Sequence, residues 1–256
     1  MIALLRARSY RMVRTINFKT FFAFMFVWCA FDLGNLYSIA QRGEPMETGY
    51  LCWSTFEFFI SIMPIWATAW YAGLSQDHFL MGIPFQKKNS QVFLSGVLFA
   101  MLLTLLTMTC LWGVFLLARG LFSSILVGET YSLPKIIVAS YLYSISMTAM
   151  CIFLMEIMHS QLFATIWGLV YSTGLGAIIL SQMELILIRL AGQTESDMPL
   201  MELTRYMNYY RFSLKPRSYH MSMDHVHFTK AVIVFIVFTA GYLGLAWLIH
   251  DRQDVQ

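Results

Sequence analysis

Five stretches of this chain carry no Asp, Glu, Lys or Arg: 58–76, 89–118, 136–155, 157–183 and 231–250. The shortest is 19 residues long, and a helix of about 20 residues crosses the roughly 30 Å hydrocarbon layer of a bilayer. Another apolar stretch, 18–39, is interrupted by Asp32 and Asn35. With its polar boundaries, this pattern predicts six membrane-spanning helices at about 18–39, 50–74, 91–117, 135–158, 161–188 and 229–250. Pro64 falls inside the second span and should kink it, because proline removes one backbone hydrogen bond. Gly174 and Gly176 soften the fifth span in a similar way.

Two amphipathic segments lie outside the spans. At about 100° per residue, Ile2, Leu5, Met12, Val13 and Ile16 share one face, while Arg6, Arg8, Arg11 and Arg14 share the opposite arc. This predicts a helix over 1–17 lying in the headgroup plane, its arginines on anionic lipid. A basic tail that only fixes orientation is the simpler alternative. In the connection at 189–228, Leu200, Leu203, Met207 and Tyr210 line one helical face, after a cap at Ser196 or Asp197 and Pro199. A short helix is expected there. The predicted fold is all-α integral membrane, a single transmembrane domain of six helices with an amphipathic amino-terminal interfacial helix.

Composition sharpens this reading. Hydrophobic residues make up 58% and charged residues 12%, half the roughly 25% charged content of soluble domains. Six spans leave no stretch large enough for a separate catalytic domain. The net charge of +3 is too small and dispersed to imply nucleic acid. Cys29, Cys52, Cys110 and Cys151 lie singly in apolar segments and are expected to be small buried hydrophobes. The long basic amino-terminal stretch, with no short apolar core ending at a small-residue cleavage site, does not read as a secretory signal.

Orientation follows from Arg6, Arg8, Arg11, Arg14 and Lys19 before the first span, against Arg42 shortly after it. The amino terminus is therefore expected in the cytoplasm, and six spans return the carboxyl terminus there. Lys87 and Lys88 fit an inner loop. The five basic residues of 189–228 run against the bias, and the first-helix argument is given precedence.

Catalytic patterns are missing from the sequence. No G-x-x-x-x-G-K-[ST], H-E-x-x-H or G-x-S-x-G occurs, so ATP hydrolysis by a phosphate loop is not expected of this chain. His220, Asp224, His225 and His227 carry metal-compatible atoms, but an i, i+2 histidine pair converges on a metal only when the backbone is extended or turned. An interfacial loop of hydrogen-bonded or solvated histidines is the expected arrangement, and no metal site is assigned. Asp32 and Glu57 lie inside the first two spans, where a carboxylate costs roughly 2.5 kcal/mol or more. They either line a polar path or tie two helices together, and the sequence leaves both open. Glu156 and Glu184 stand nearer span ends, within reach of the interface, and for them the helix-tying role is the expected one. The 18 methionines and 16% aromatic residues suit either packing or a cavity for varied apolar cargo.

The stretch from the second to the third span reads Met63-Pro64-Ile65-Trp66, then Tyr71-Ala72-Gly73-Leu74-Ser75-Gln76-Asp77-His78-Phe79-Leu80-Met81-Gly82-Ile83-Pro84-Phe85-Gln86-Lys87-Lys88-Asn89. A proline-containing span, a short acidic-apolar piece, a proline, two lysines and immediate re-entry resemble ABC-2 type transporter permeases. The resemblance is closest to the small six-span permeases that export, or give immunity to, peptides such as bacteriocins, lantibiotics and amphipathic toxins. It covers the whole chain in topology and is concentrated in 63–89. It implies that 75–85 is a coupling helix resting in an ATPase, with Ser75, Asp77, Phe79, Leu80, Met81, Phe85, Lys87 and Lys88 at that interface. It further implies a bacterial cytoplasmic-membrane location, a second permease subunit, identical or paralogous, and a hydrophobic or amphipathic peptide cargo. ATP and magnesium would be held by the separate ATPase chain, so this chain carries no cofactor. A membrane scaffold or sensor, and a transporter using Asp32 or Glu57 as a proton site, are the rival readings.

Overall fold

The computed structural model describes residues 2–43, 46–47, 58–60, 62–71, 89–123, 126–127, 133–172 and 225–253, with isolated helical positions between 179 and 206. The described residues are helical apart from short turns and one two-residue pairing. In chain order the elements are α1 (Ile2–Arg14), α2 (Ile16–Arg42), β1 (Met46–Glu47), α3 (Phe58–Tyr71), α4 (Asn89–Leu121), β2 (Leu126–Val127), α5 (Leu133–Met158), α6 (Gln161–Ser172) and α7 (His225–Gln253). Four of them, α2, α4, α5 and α7, are long and apolar enough to cross a membrane.

Local chemistry sets the breaks. Thr15 separates α1 from α2 and closes α1 by donating its hydroxyl to the Met12 carbonyl at 2.7 Å. Gly43 ends α2 at φ 68°, the left-handed cap that glycine adopts without a Cβ clash, and donates its N–H to the Ala40 carbonyl. Pro134 occupies the first turn of α5, where its missing N–H costs nothing. His159 at φ 49° and Ser160 make the tight link from α5 to α6, and Ser160 Oγ accepts from the Phe163 N–H. Pro64 lies within α3, and its carbonyl accepts the Thr68 hydroxyl at 2.6 Å.

Helix directions follow from which ends meet. Lys135, at the start of α5, sits 5.9 Å from the ring of Phe228 at the start of α7, so these two helices run the same way. β1 pairs in parallel with β2, which brings the exits of α2 and α4 together at that same end of the bundle. α4 is antiparallel to α5 and joined to it by Thr104–Thr148 at 2.9 Å and by Trp112 Nε1 donating to Ser140 Oγ at 2.8 Å. α2 and α3 meet through stacked rings, Phe21 on Trp66 at 3.8 Å and Trp28 on Phe58 at 4.8 Å. Met25, Met63, Met108 and Met147 are fully buried in the core these helices share, which makes them packing material.

The predicted spans differ from the helices at their edges, and among the described residues four of the six are helices long and apolar enough to cross a membrane. Residues 16–42, 89–121, 133–158 and 225–253 are longer than the charge-free runs because polar residues continue each helix to its cap. The second span is represented by α3, which is shorter than a full crossing, and its predicted start at 50–57 lies outside the described residues. The fifth is represented by α6, with further helical and exposed positions at Ile179, Gln182, Met183, Ile186, Arg189 and Leu190. Of the connection at 189–228, Tyr206 is helical and buried in the core, with Lys230 over its ring at 5.7 Å. The rest of the short helix expected there lies outside the described residues.

Candidate functional site

Four polar side chains from four helices meet at the end of the bundle where α3, α5 and α7 finish and α4 begins. Glu156 lies near the end of α5 and is 7% exposed. The hydroxyl of Tyr71, the last residue of α3, donates to Glu156 Oε1 at 2.6 Å. His250, near the end of α7, places Nδ1 3.2 Å from Glu156 Oε2. Arg8 of α1 is 3% exposed and lies against Tyr71; its Nη2 donates to the Val92 carbonyl in the first turn of α4 at 3.4 Å. Burial pushes the Arg8 guanidinium below its ordinary pKa, and the neighbouring Tyr71 opposes that shift.

Aromatic rings and one glycine make the space. Phe93 stands edge-on to Tyr71 at 6.3 Å and over His250 at 5.0 Å, closing the cluster on the α4 side. Gly96 lies one turn further along α4, under Arg8 and Tyr71. A Cβ there would come within 2.6 Å of Arg8 Nη1 and 2.7 Å of Tyr71 Cε2. The absence of a side chain at 96 is therefore what lets the guanidinium and the phenol ring lie against α4.

Glu156 ties helices together, accepting bonds from α3 and α7 inside the bundle. One expectation is corrected. Arg8 does not share the solvent arc of the other arginines. Arg8 and Met12, one turn apart, form the docked face of α1, while Arg6, Tyr10, Val13 and Arg14 are exposed and Arg14 lies 4.3 Å over the Tyr10 ring. Val13 and Ile16, assigned to the lipid-facing apolar face, are 52% and 74% exposed on the protein surface, where such a face would lie. Periodicity places a long cation with the other cations; it does not register a neighbouring helix that offers a carbonyl and a phenol.

The residues singled out beforehand fare differently. Asp32 is half-buried on α2, about 24 Å along the axis from Ile16, and does not join the cluster. Glu57, the coupling segment with Ser75, Asp77, Phe79, Leu80, Met81, Phe85, Lys87 and Lys88, and also Glu184, His220 and Asp224 lie outside the described residues. So do the side chains of His225 and His227. Among the described residues no three metal-binding side chains converge. Cys29 and Cys151 are buried, Cys110 is half-buried, and none is paired; Cys52 is outside the described residues. A crevice among α3, α5 and α6, lined by Ile65, Thr68, Cys151 and Ala164, has no room for a water molecule.

The signal for the cluster was present in the predicted topology. Tyr71, Glu156 and His250 stand near the carboxyl ends of predicted spans that finish on the side where the helix carrying Arg8 is expected, but nothing in a span map says that these residues touch. Comparison of the chain with protein-family models, curated proteins and solved structures finds no match.

Proposed function

We propose that this chain is the membrane-embedded permease subunit of an ABC-type exporter, crossing the bilayer six times with both termini in the cytoplasm. A separate ATPase, holding ATP and magnesium, drives it, and a second permease subunit, identical or paralogous, completes the path for a hydrophobic or amphipathic peptide. The observation that supports this reading is the position of Tyr71. It is the last described residue before 72–88, and its hydroxyl fastens that point of the chain to α5 and, through Glu156, to α7.

A partner that grips 75–85 would therefore act on a point bonded to the ends of two long helices. Force entering at Tyr71 reaches α5 directly and α7 through a single carboxylate. Interfaces and packed cores switch between discrete arrangements, so a small displacement there becomes a repacking of whole helices.

The test is purification of the full chain in mild detergent, asking which chains accompany it. A co-purifying nucleotide-binding subunit, lost or uncoupled on replacing Phe79 and Met81 with alanine while the protein still inserts, supports the reading. Purification without such a subunit, together with unchanged cargo resistance in the double variant, overturns it in favour of a scaffold or a proton-driven carrier.

A further inference from the structure

Docking of Arg8 and Met12 on the bundle fixes the rotation of α1 about its own axis. The opposite side of the helix then carries Arg6, Tyr10 and Arg14, which recur every fourth residue and so lie one turn above another. All three are exposed, and the Arg14 guanidinium lies 4.3 Å over the Tyr10 ring. We propose that this outward ridge is a preformed binding site for the headgroups of anionic glycerophospholipids in the leaflet where α1 lies.

Neither Arg6 nor Arg14 has a carboxylate partner among the described residues, so the ridge presents two positive charges without a counter-charge from the protein. A guanidinium over an aromatic face still offers its in-plane N–H donors, and their fork matches the oxygens of a phosphate. Arg6 and Arg14 stand about 12 Å apart along the helix axis. That span leaves room for a phosphate at each end, with the phenol of Tyr10 between them as a further donor.

Apolar surface identifies the anion as part of a lipid. Val13 and Ile16, next to the ridge, are more than half exposed. A soluble phosphate would leave these aliphatic side chains in water, whereas a phospholipid covers them with its acyl chains and sets its phosphate on the cations. α2 begins one residue beyond Thr15 and is long and apolar enough to cross a membrane, which puts the ridge at the level of the headgroups. A zwitterionic headgroup carries its own positive charge and offsets less of the ridge, so selection for a net negative lipid follows. The sequence pattern groups Arg8 with the other arginines; the structure gives Arg8 to the bundle and thereby aims Arg6 and Arg14 outward. This inference is independent of the exporter reading, because it concerns α1 alone.

Site-directed fluorescence quenching tests it in the full chain, with its native cysteines replaced by alanine and a fluorophore on Asn17→Cys, an exposed position beside the ridge. The protein is placed in phosphatidylcholine nanodiscs in which either phosphatidylglycerol or phosphatidylcholine, at equal mole fraction, carries a nitroxide near the headgroup end of one acyl chain. Labelled phosphatidylglycerol should show a local affinity at least about fivefold above that of labelled phosphatidylcholine, which is what one arginine near an anionic surface contributes. Arg6→Gln combined with Arg14→Gln should lose most of that preference. Each single change should lose part of it, which keeps the test decisive where the double variant does not insert. Arg42→Gln, which removes an exposed charge at the other end of α2, should leave the preference unchanged. Equal quenching by the two lipids with the ridge intact overturns the proposal, as does a preference that survives the double variant. An acidic protein chain that binds in place of lipid, and is lost in the double variant, would assign the ridge to a protein partner and equally overturns it.

Discussion

Tyr71 and Glu156, 85 positions apart in sequence, share a hydrogen bond of 2.6 Å that joins the end of α3 to the end of α5. Tyr71→Phe removes this donor from a buried carboxylate and keeps the ring packed on Phe93. A hydrogen bond to a charged group contributes about 1.5–3 kcal/mol, so the unfolding midpoint in detergent should fall measurably. Because both residues act through one bond, Tyr71→Phe combined with Glu156→Gln should cost less than the sum of the two single changes. Strict additivity would show that the bond contributes nothing to stability.

Gly96 and Gly113 lie on the same helix and should respond in opposite ways to alanine. At 96 the new methyl meets Arg8 Nη1 and Tyr71 Cε2 at under 3 Å, so the guanidinium must move and the ring must give. Overpacking of this kind costs about 1–3 kcal/mol. At 113 nothing lies within 4 Å, and replacing a helical glycine by alanine gains up to about 1 kcal/mol. Thermal stability of the two purified variants checks the contrast, and equal effects at both sites would contradict the packing of Arg8 against α4.

The polar clasps between α4 and α5 should matter less than their burial suggests. Thr104→Val removes the contact with Thr148, and Trp112→Phe removes the donor to Ser140. Interhelical hydrogen bonds in membranes average about 0.6 kcal/mol each. The two sites share no partner, so the double variant should lose roughly the sum. Reversible unfolding in a detergent–denaturant series measures this, and a loss of several kcal/mol from Thr104→Val alone would mean that the hydroxyl pair organises the whole interface.

Orientation is tested by thiol labelling in whole cells. A cysteine at Gly43, the cap of α2, should react with an impermeant reagent from outside, and one at Lys87 should not. The opposite pattern would remove the assignment of 75–85 to a cytoplasmic ATPase.

Charge within the first two spans has its own readout. If Asp32 and Glu57 line a path, Asp32→Asn and Glu57→Gln should change transport while expression and assembly stay near normal, because each keeps size and polarity. Loss of assembled protein in both variants would assign these acids to helix–helix locking instead.

Run length and charge spacing alone located the long helices, because a bilayer demands about 20 apolar residues wherever a chain crosses it. The same rule placed the turn between α5 and α6 at 159–160, and helical periodicity predicted the separate helix at the amino terminus. It could not place Arg8 or Glu156. Periodicity describes one helix at a time, and both residues owe their positions to other helices: Arg8 to a carbonyl of α4 and the space left by Gly96, Glu156 to a phenol from α3 and an imidazole from α7. A charged side chain enters a bundle only where partners from several elements offset its desolvation together. That condition is a property of the packed tertiary structure, and none of the individual segments contains it.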